Sequence, residues 1–247
     1  MSALPRFWLV PIVMMSTMLS CTAAPPPTPG ASFQLGGLTR AARDTDKGPS
    51  LHHYTETYER FFFQWKNDPI AIFEIGVADG GSLTMWQEYF PNATIIAADI
   101  EDKSQFDNSR VKTVVADQSR RDQLRRAVEA GGGRYDVLLD DGGHTMEQQQ
   151  VSLGYLFPFV KPGGFYVLED IHTSIPALWQ GYGVEPGGGN STLRMIQDYM
   201  GAAPPAFSSQ YMLPEELAYL NQHVDYVNLV YRTDSRSIVG IFRKKAE

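Results

Sequence analysis

The sequence predicts an α/β fold with a mainly parallel β-sheet that is closed by a C-terminal antiparallel hairpin. From residue 51 onward, short β-branched runs alternate with segments of helical spacing, which is the pattern of a parallel sheet covered by helices on both faces. Two late alternating runs supply the hairpin. With 247 residues, 43% of them hydrophobic, the chain can form one sizeable core and not comfortably two.

Five short runs rich in β-branched and aliphatic residues predict the parallel strands. They cover residues 71–75, 94–98, 111–115, 135–139 and 165–168. The closing hairpin is predicted from residues 224–231 and 237–242, which are joined by the polar turn 233–236.

Helical segments are predicted before and between these strands. Aromatic residues at helical spacing predict a helix over residues 51–66 and are interpreted as core. Ser82 is expected to cap the helix after the first strand, and a later helix is predicted near residues 191–201. Residues 172–190, which are Gly-rich and contain Trp179, are predicted to form a long loop or lid.

The first 50 residues differ in composition from the rest. Residues 1–30 combine a basic start, an apolar run of about 14 residues and a Pro-rich tract, which predicts a signal-like or anchor segment with a linker. Cys21 directly after the apolar run leaves lipid attachment to a membrane open, and cytoplasmic localisation is the alternative if the segment is not a signal. Residues 31–50 are polar and predict a flexible lead-in, so the folded domain is expected over residues 51–247.

Charge and cysteine content exclude some classes of partner and site. The chain has 21 Lys and Arg residues against 28 Asp and Glu residues, a net charge of -7, which argues against the basic face that nucleic-acid binding requires. Its single cysteine can form neither an internal disulfide nor a Cys/His zinc pattern. The sequence leaves open whether the protein forms a homo-oligomer.

Acidic residues occur in or directly after the predicted parallel strands. They are Glu74 within the first strand and then Asp99, Asp117, Asp140-Asp141 and Glu169-Asp170. In open α/β sheets ligands bind outside the carboxyl ends of the strands. Acids that converge on one edge repel one another unless a ligand or a cation compensates their charge. The sequence therefore predicts a binding site at this edge of the sheet.

The loop after the first strand predicts a nucleoside-bearing cofactor. Gly76-Val-Ala-Asp-Gly-Gly81 lets the backbone approach a ligand, with Glu74 before it and Asp99 placed to accept hydrogen bonds from ribose hydroxyls. The loop lacks the G-x-G-x-x-G spacing of a pyrophosphate cradle. This difference favours S-adenosylmethionine, which has no phosphates, over a dinucleotide.

A second group of residues predicts a metal centre. Asp141 and the Glu169-Asp170 pair follow neighbouring strands, and carboxylates without a nearby thiol suit Mg²⁺ or Mn²⁺. His144, three residues after Asp141, is placed to act as a base on a substrate hydroxyl. The alternative for His144 is a residue at a helix N-terminus that bonds a carboxylate.

Three ordered motifs resemble a known family. They are Phe73-Glu-Ile-Gly-Val-Ala-Asp-Gly-Gly-Ser82, Asp140-Asp-Gly-Gly-His144 and Leu168-Glu-Asp-Ile-His-Thr-Ser174. Together with residues 51–60, they make the chain similar over about residues 50–175 to the macrocin and mycinamicin sugar O-methyltransferases and to cephalosporin-hydroxylase-like proteins. The resemblance implies a Rossmann-like class I methyltransferase fold, with S-adenosylmethionine and Mg²⁺ as cofactors.

The resemblance also implies roles for individual residues. Asp141, Glu169 and Asp170 would hold the metal, and His144 would be the catalytic base. The predicted cofactor-binding residues are Glu74, Gly76, Ser82, Asp99, Asp117 and Asp140. The sequence departs from the family pattern at Gly143, where Ser is commoner, and at Ile175, where Tyr is frequent.

The function predicted from these observations is Mg²⁺-dependent methyl transfer from S-adenosylmethionine to a hydroxyl of a small molecule, such as a sugar or glycoside. Two alternatives remain open at this point. One is a hydroxylase-like oxidoreductase that uses the same carboxylates for another metal, although a two-His, one-carboxylate pattern is missing. The other is an exported, non-catalytic binding protein on the same scaffold.

Overall fold

The computed structural model describes residues 36–233 and 236–247. The signal-like segment expected over residues 1–30 lies outside this range. Within it, no helix has both the length and the apolar character needed to cross a membrane.

The described residues contain seven strands that form one sheet. The strands are β1 (Ala71–Ile75), β2 (Thr94–Asp99), β3 (Val111–Val115), β4 (Tyr135–Asp140), β5 (Val160–Leu168), β6 (Val224–Tyr231) and β7 (Ile238–Lys244). Their order is β3-β2-β1-β4-β5-β7-β6, in which β1 to β5 are parallel and β7 runs antiparallel to both β5 and β6. The prediction of a mainly parallel seven-stranded sheet with a C-terminal antiparallel hairpin is confirmed.

Seven α-helices accompany the sheet in the described part of the chain. They are α1 (Gly37–Ala41), α2 (Tyr54–Phe62), α3 (Gly81–Tyr89), α4 (Arg121–Glu129), α5 (Met146–Leu156), α6 (Thr192–Gly201) and α7 (Pro214–His223). The helix predicted over residues 51–66 is shorter, because α2 gives way to a 3-10 turn at Phe63–Trp65. Ser82 lies in the first turn of α3 rather than at its cap, since Gly80 at φ 77° precedes the helix.

The core lies on both faces of the sheet, as the unbroken apolar strands predict. In β1, Phe73 packs into one buried cluster while its neighbour Ile72 packs into the other. Leu138 and Val137 divide in the same way on β4. Successive side chains of a strand point to opposite faces, so each central strand stabilises two layers of helices at once.

The stretch predicted as a flexible lead-in, residues 31–50, includes helix α1 in its described part. Leu38 is buried, and the carboxylate of Glu59 on α2 accepts hydrogen bonds from the backbone N–H groups of Gly36 (2.6 Å), Gly37 (2.9 Å) and Leu38 (3.3 Å). These are the N–H groups that a helix N-terminus leaves without partners. Local sequence did not indicate this contact, because Glu59 lies more than 20 positions away from α1 in the sequence.

Candidate active site

The carboxyl ends of β1, β4 and β5 lie side by side, and we call this side of the sheet the carboxyl edge. Ile75 of β1 pairs with Asp140 of β4, which pairs in turn with Leu168 of β5. The N–H of Glu169 donates to the carbonyl of Asp140 over 2.9 Å. This register brings Asp141 next to Glu169 and Asp170, as the order of the motifs predicted.

A cavity of about 550 Å³ opens at the carboxyl edge. Four of the predicted cofactor residues contribute to its lining, namely Gly76, Ser82, Asp99 and Asp117. Gly76 has φ 89°, and a Cβ at this position would overlap the carbonyl oxygen of Asp141. Only glycine therefore fits where the β1 loop meets the loop after β4.

Asp99 and Asp117 are fixed by their own loops. Asp99 accepts hydrogen bonds from the N–H groups of Val77 (2.8 Å) and Glu101 (2.9 Å), so that its carboxylate joins the ends of β1 and β2. Asp117 accepts from the N–H (2.9 Å) and the hydroxyl (2.7 Å) of Ser119. Each carboxylate oxygen can accept more than one hydrogen bond, so both groups retain acceptor capacity toward the cavity.

Glu74 and Asp140 are not part of the cavity lining. Glu74 is fully buried and accepts from Trp86 Nε1 over 3.2 Å, and burial raises its pKa to about 7. Asp140 accepts from Gln118 Nε2 (2.9 Å), Tyr166 Oη (3.1 Å) and Ser152 Oγ, and burial raises its pKa to about 6. In the structure, Asp140 belongs to a hydrogen-bond network behind the cavity.

Gln118 connects that network to the loop that carries His144. Its amide donates to Asp140, and its Oε1 accepts from the N–H of Gly143 over 2.6 Å. Gln118 also lines the cavity. Sequence reasoning did not single out this residue, because an isolated glutamine after a strand carries no distinguishing pattern.

Asp141, His144 and Asp170 come together at the rim of the carboxyl edge. His144 Nε2 lies 3.9 Å from an oxygen of Asp141 and 3.6 Å from an oxygen of Asp170. One potential ligand atom from each of the three residues lies within 4.8 Å of the others, which is close enough for a single cation. Nδ1 of His144 has no hydrogen-bond partner among the described residues, so none of them selects its tautomer.

Glu169 is adjacent to this group but faces Lys47. Lys47 Nζ donates to Glu169 Oε2 over 3.1 Å and to Asp141, and it lies 3.7 Å from Glu74 Oε1. The Lys47 side chain is 1% exposed, and although burial lowers its pKa, these carboxylates raise it well above the usual value. Local sequence does not indicate this role, since a lysine in the polar stretch Asp44-Thr-Asp-Lys-Gly48 is typical of a solvated loop.

Rings surround the remaining side of Asp170. Tyr54 donates its hydroxyl to Asp170 Oδ1 over 2.8 Å, while ring nitrogens of His52 and His172 lie 4.0 and 3.8 Å from the same oxygen. Burial alone would raise the pKa of Asp170, but its imidazole neighbours hold that pKa below the usual value. Tyr54 had been interpreted as core, and it is buried, but its hydroxyl also orients a predicted metal ligand.

Backbone strain concentrates around these residues. His53, Ala78, His144 and Asp170 adopt the left-handed region, with φ between 45° and 59°. Non-glycine residues rarely adopt this conformation, and when they do so they cluster at functional sites. The strain therefore marks the same edge of the sheet as the cavity and the carboxylates.

The residues at this edge fit the cofactors that the sequence predicted. The cavity lies within the usual size range of ligand pockets and has acidic acceptors for hydroxyl donors. Glu169 Oε1 and Glu74 Oε1 are buried and have no hydrogen-bond partner among the described residues, which is the condition of carboxylates arranged for a cation.

Known proteins resemble this chain in sequence. No protein-family model matches it. Demethylmacrocin O-methyltransferase of Streptomyces fradiae is 37% identical over 188 residues, which cover 73% of this chain and 45% of that protein. Mycinamicin VI 2''-O-methyltransferase of Micromonospora griseorubida is 39% identical over 146 residues, covering 56% of this chain and 36% of the relative. The chain thus spans less than half the length of these relatives.

A solved structure resembles it as well. The methyltransferase MycE from the mycinamycin biosynthetic pathway, in complex with Mg, SAH and mycinamycin VI, superposes with a TM-score of 0.70 and 28% sequence identity. The match covers 85% of this chain and 54% of MycE. With the strand order and the three sequence motifs, this likeness identifies the chain as a class I methyltransferase-fold protein that resembles the macrocin and mycinamicin sugar O-methyltransferases.

Proposed function

We propose that the protein transfers a methyl group from S-adenosylmethionine to a hydroxyl of a small molecule, a sugar or glycoside, with the help of Mg²⁺. The observation that carries the proposal is the adjacency at one sheet edge of a cofactor-sized cavity and a carboxylate–histidine cluster. The relatives support the same reaction class, because they are named as O-methyltransferases of demethylmacrocin, of mycinamicin VI and of a rhamnosyl tetracenomycin-C.

The cofactor site in this proposal is the cavity. Asp99 accepts hydrogen bonds from the ribose hydroxyls, the Gly76 backbone allows close approach, and Ser82 and Asp117 line the remaining wall. Glu74 and Asp140 support this site from behind, because both are buried and bonded to protein groups. The missing phosphate cradle agrees with a cofactor that has no phosphates.

The metal site in this proposal is formed by Asp141, Glu169 and Asp170. Three carboxylates without a thiol are the ligands that Mg²⁺ prefers. When bound, S-adenosylmethionine supplies an already activated methyl group, and Mg²⁺ supplies a Lewis acid that makes a nearby hydroxyl more acidic.

His144 acts as the base in the proposed reaction. Its Nε2 accepts the proton of the acceptor hydroxyl, and the imidazolium that forms is stabilised by Asp141 and Asp170 at 3.9 and 3.6 Å. Trp179 is exposed, and its ring, whose centroid lies 5.0 Å from that of the buried His172, offers a planar surface for the acceptor on the same side. Orientation of the two substrates accounts for much of the expected rate.

Calorimetric titration of the full chain with S-adenosylmethionine, with and without Mg²⁺, tests the proposal first. We expect binding in about the micromolar range, an affinity in keeping with ordinary substrate concentrations. Transfer of an isotope-labelled methyl group to a panel of glycosides with vicinal hydroxyls is then expected, and chelation of Mg²⁺ should abolish it. Absence of cofactor binding under both conditions would contradict the proposal.

A further inference from the structure

Lys47 holds together carboxylates from three different strands. Its Nζ contacts Asp141 after β4 and Glu169 after β5, and it lies 3.7 Å from Glu74 Oε1 on β1. The lysine side chain, Glu74 and Glu169 are each no more than 1% exposed. Lys47 is therefore part of the buried site and not a surface residue that happens to reach it.

The charges at this position are unbalanced. Glu74, Asp141, Glu169 and Asp170 are four carboxylates, and Lys47 is the single lysine or arginine that forms an ion pair with any of them in the described residues. Buried carboxylates that lack a cation repel one another strongly. In the metal-free protein, the Lys47 ammonium supplies the compensating charge.

Lys47 occupies two of the three proposed metal ligands. Glu169 Oε2 and Asp141 are its hydrogen-bond acceptors, so neither can turn fully to a metal while the ammonium stays between them. Both cations prefer the same carboxylate oxygens, and two positive charges at one position exclude each other. The geometry thus sets the lysine and the metal in competition.

Glu74 provides a second position for the ammonium. Its Oε1 is buried, faces Lys47 at 3.7 Å and has no hydrogen-bond partner among the described residues. A small movement of Nζ toward Glu74 would complete that hydrogen bond and release Glu169 and Asp141. A buried acceptor without a donor is unfavourable, which biases the lysine toward this movement once a metal neutralises the other two carboxylates.

We propose that Lys47 is a displaceable internal cation, which holds Asp141 and Glu169 in the metal-free protein and moves to Glu74 when the divalent metal binds. The inference rests on the proposed function, because it takes Asp141, Glu169 and Asp170 as metal ligands. Lys47 is a positioning residue in this scheme, since it acts through the carboxylates.

Binding of Mn²⁺ to the full chain, followed by the electron paramagnetic resonance signal of the free ion, tests the proposal without any turnover. Lys47→Met removes the competing charge and keeps the length of the side chain. We expect it to bind Mn²⁺ roughly tenfold more tightly than the wild type, because a like charge within contact distance is gone. Lys161→Met is the matched control, since Lys161 pairs with Asp136 at the other side of the sheet (2.7 Å), and its affinity should equal that of the wild type.

Glu74→Gln is the second variant, and it is expected to change the Mn²⁺ affinity in the opposite direction to Lys47→Met. Without a carboxylate to move to, Lys47 stays on Asp141 and Glu169, so Mn²⁺ binding should weaken about tenfold. In the Lys47→Met background, the same change should alter the affinity by no more than about twofold, since the two residues then no longer interact. If Lys47→Met does not fold, the weakening by Glu74→Gln in the wild-type background decides the question.

The outcomes separate the two proposals. If the wild type and all variants fail to bind Mn²⁺, the metal site of the proposed function is wrong. If the wild type binds Mn²⁺ but folded Lys47→Met binds it equally or less well, the metal site stands and the displaceable cation is overturned. Additive effects of Lys47→Met and Glu74→Gln, or an unchanged affinity in Glu74→Gln where Lys47→Met does not fold, would overturn it as well.

Discussion

Two buried lysines occupy opposite sides of the same sheet and meet different partners. Lys47 lies at the carboxyl edge among Glu74, Asp141 and Glu169. Lys244, at the end of β7, lies where the parallel strands begin, which we call the amino edge. Its Nζ donates to the backbone carbonyls of Phe157 (3.5 Å), Pro158 (2.9 Å) and Val160 (2.7 Å).

The partners of a buried charge distinguish a functional lysine from a structural one. A backbone carbonyl is a hydrogen-bond acceptor whose charge does not change. The three carbonyls therefore keep Lys244 as their donor, and the lysine holds the turn before β5 in place. Carboxylates can exchange a lysine for a metal, and Glu74 and Glu169 each retain a buried oxygen without a partner in the described residues. The carboxylates at the carboxyl edge can therefore exchange Lys47 for a metal, whereas Lys244 at the amino edge stabilises the fold.

The largest expected effect is on turnover, from His144→Ala. Loss of the proposed base should lower kcat about 1,000-fold, in the usual range for a general base, while the affinity for S-adenosylmethionine stays within about twofold. The amino-edge counterpart is His223→Ala, because the His223 ring stacks on Tyr219 and its Nδ1 bonds the Tyr219 carbonyl over 2.9 Å. Single-turnover rates and cofactor titration of both variants measure this contrast. Weakened cofactor binding in His144→Ala would remove His144 from the catalytic role.

The next effect is on stability, from Lys244→Met. Three backbone carbonyls, two of them in buried hydrogen bonds and one in a half-buried hydrogen bond, lose their donor, so the free energy of unfolding should fall by about 3 kcal/mol, measured by urea denaturation. Cofactor and Mn²⁺ affinities should not change, because Lys244 lies at the amino edge. A change in Mn²⁺ affinity comparable to that of Lys47→Met would break the distinction between the two lysines.

Local patterns in the sequence explain why much of the fold could be predicted. The central strands are buried on both faces, so their apolar runs mark them regardless of what packs on them, and β1 has the predicted bounds. Two short helices escaped prediction. The N-terminus of α1 is held by Glu59 on α2, and α7 follows a Pro-rich stretch that obscures its helical spacing.

Some residues of the candidate site could be predicted from the sequence and others could not. Residues at strand ends, such as Asp141 and Asp170, could be predicted, because the sheet brings the ends of neighbouring strands together. The role of Lys47 could not be predicted, because the residues next to it in the sequence do not show that β1, β4 and β5 end around its side chain. The positions of Glu74 and Asp140 behind the cavity could not be predicted either, since alternation assigns a side chain to a face and does not show which ligand it meets.

Asp99→Asn should have an intermediate effect, on cofactor affinity. The amide keeps one acceptor oxygen but loses the charge that strengthens hydrogen bonds from ribose hydroxyls, so the dissociation constant should rise about tenfold. Asp136→Asn is the amino-edge control, since Asp136 accepts from the N–H of Ala71 (2.8 Å) and from Lys161. Calorimetric titration should show unchanged affinity for that variant. Equal losses in both variants would mean that Asp99 acts through stability alone.

The smallest expected effect concerns the acceptor. Trp179 is 41% exposed, and its ring packs against His172, which adjoins the carboxylate of Asp170. An aromatic contact contributes on the order of 1 kcal/mol, so Trp179→Ala should raise KM for a glycoside acceptor about fivefold and leave kcat nearly unchanged. The neighbouring Leu178 is 43% exposed and has no ring to stack, so Leu178→Ala is a matched control. If both variants raised KM equally, exposed apolar area in this loop, and not the ring beside His172, would position the acceptor at the carboxyl edge.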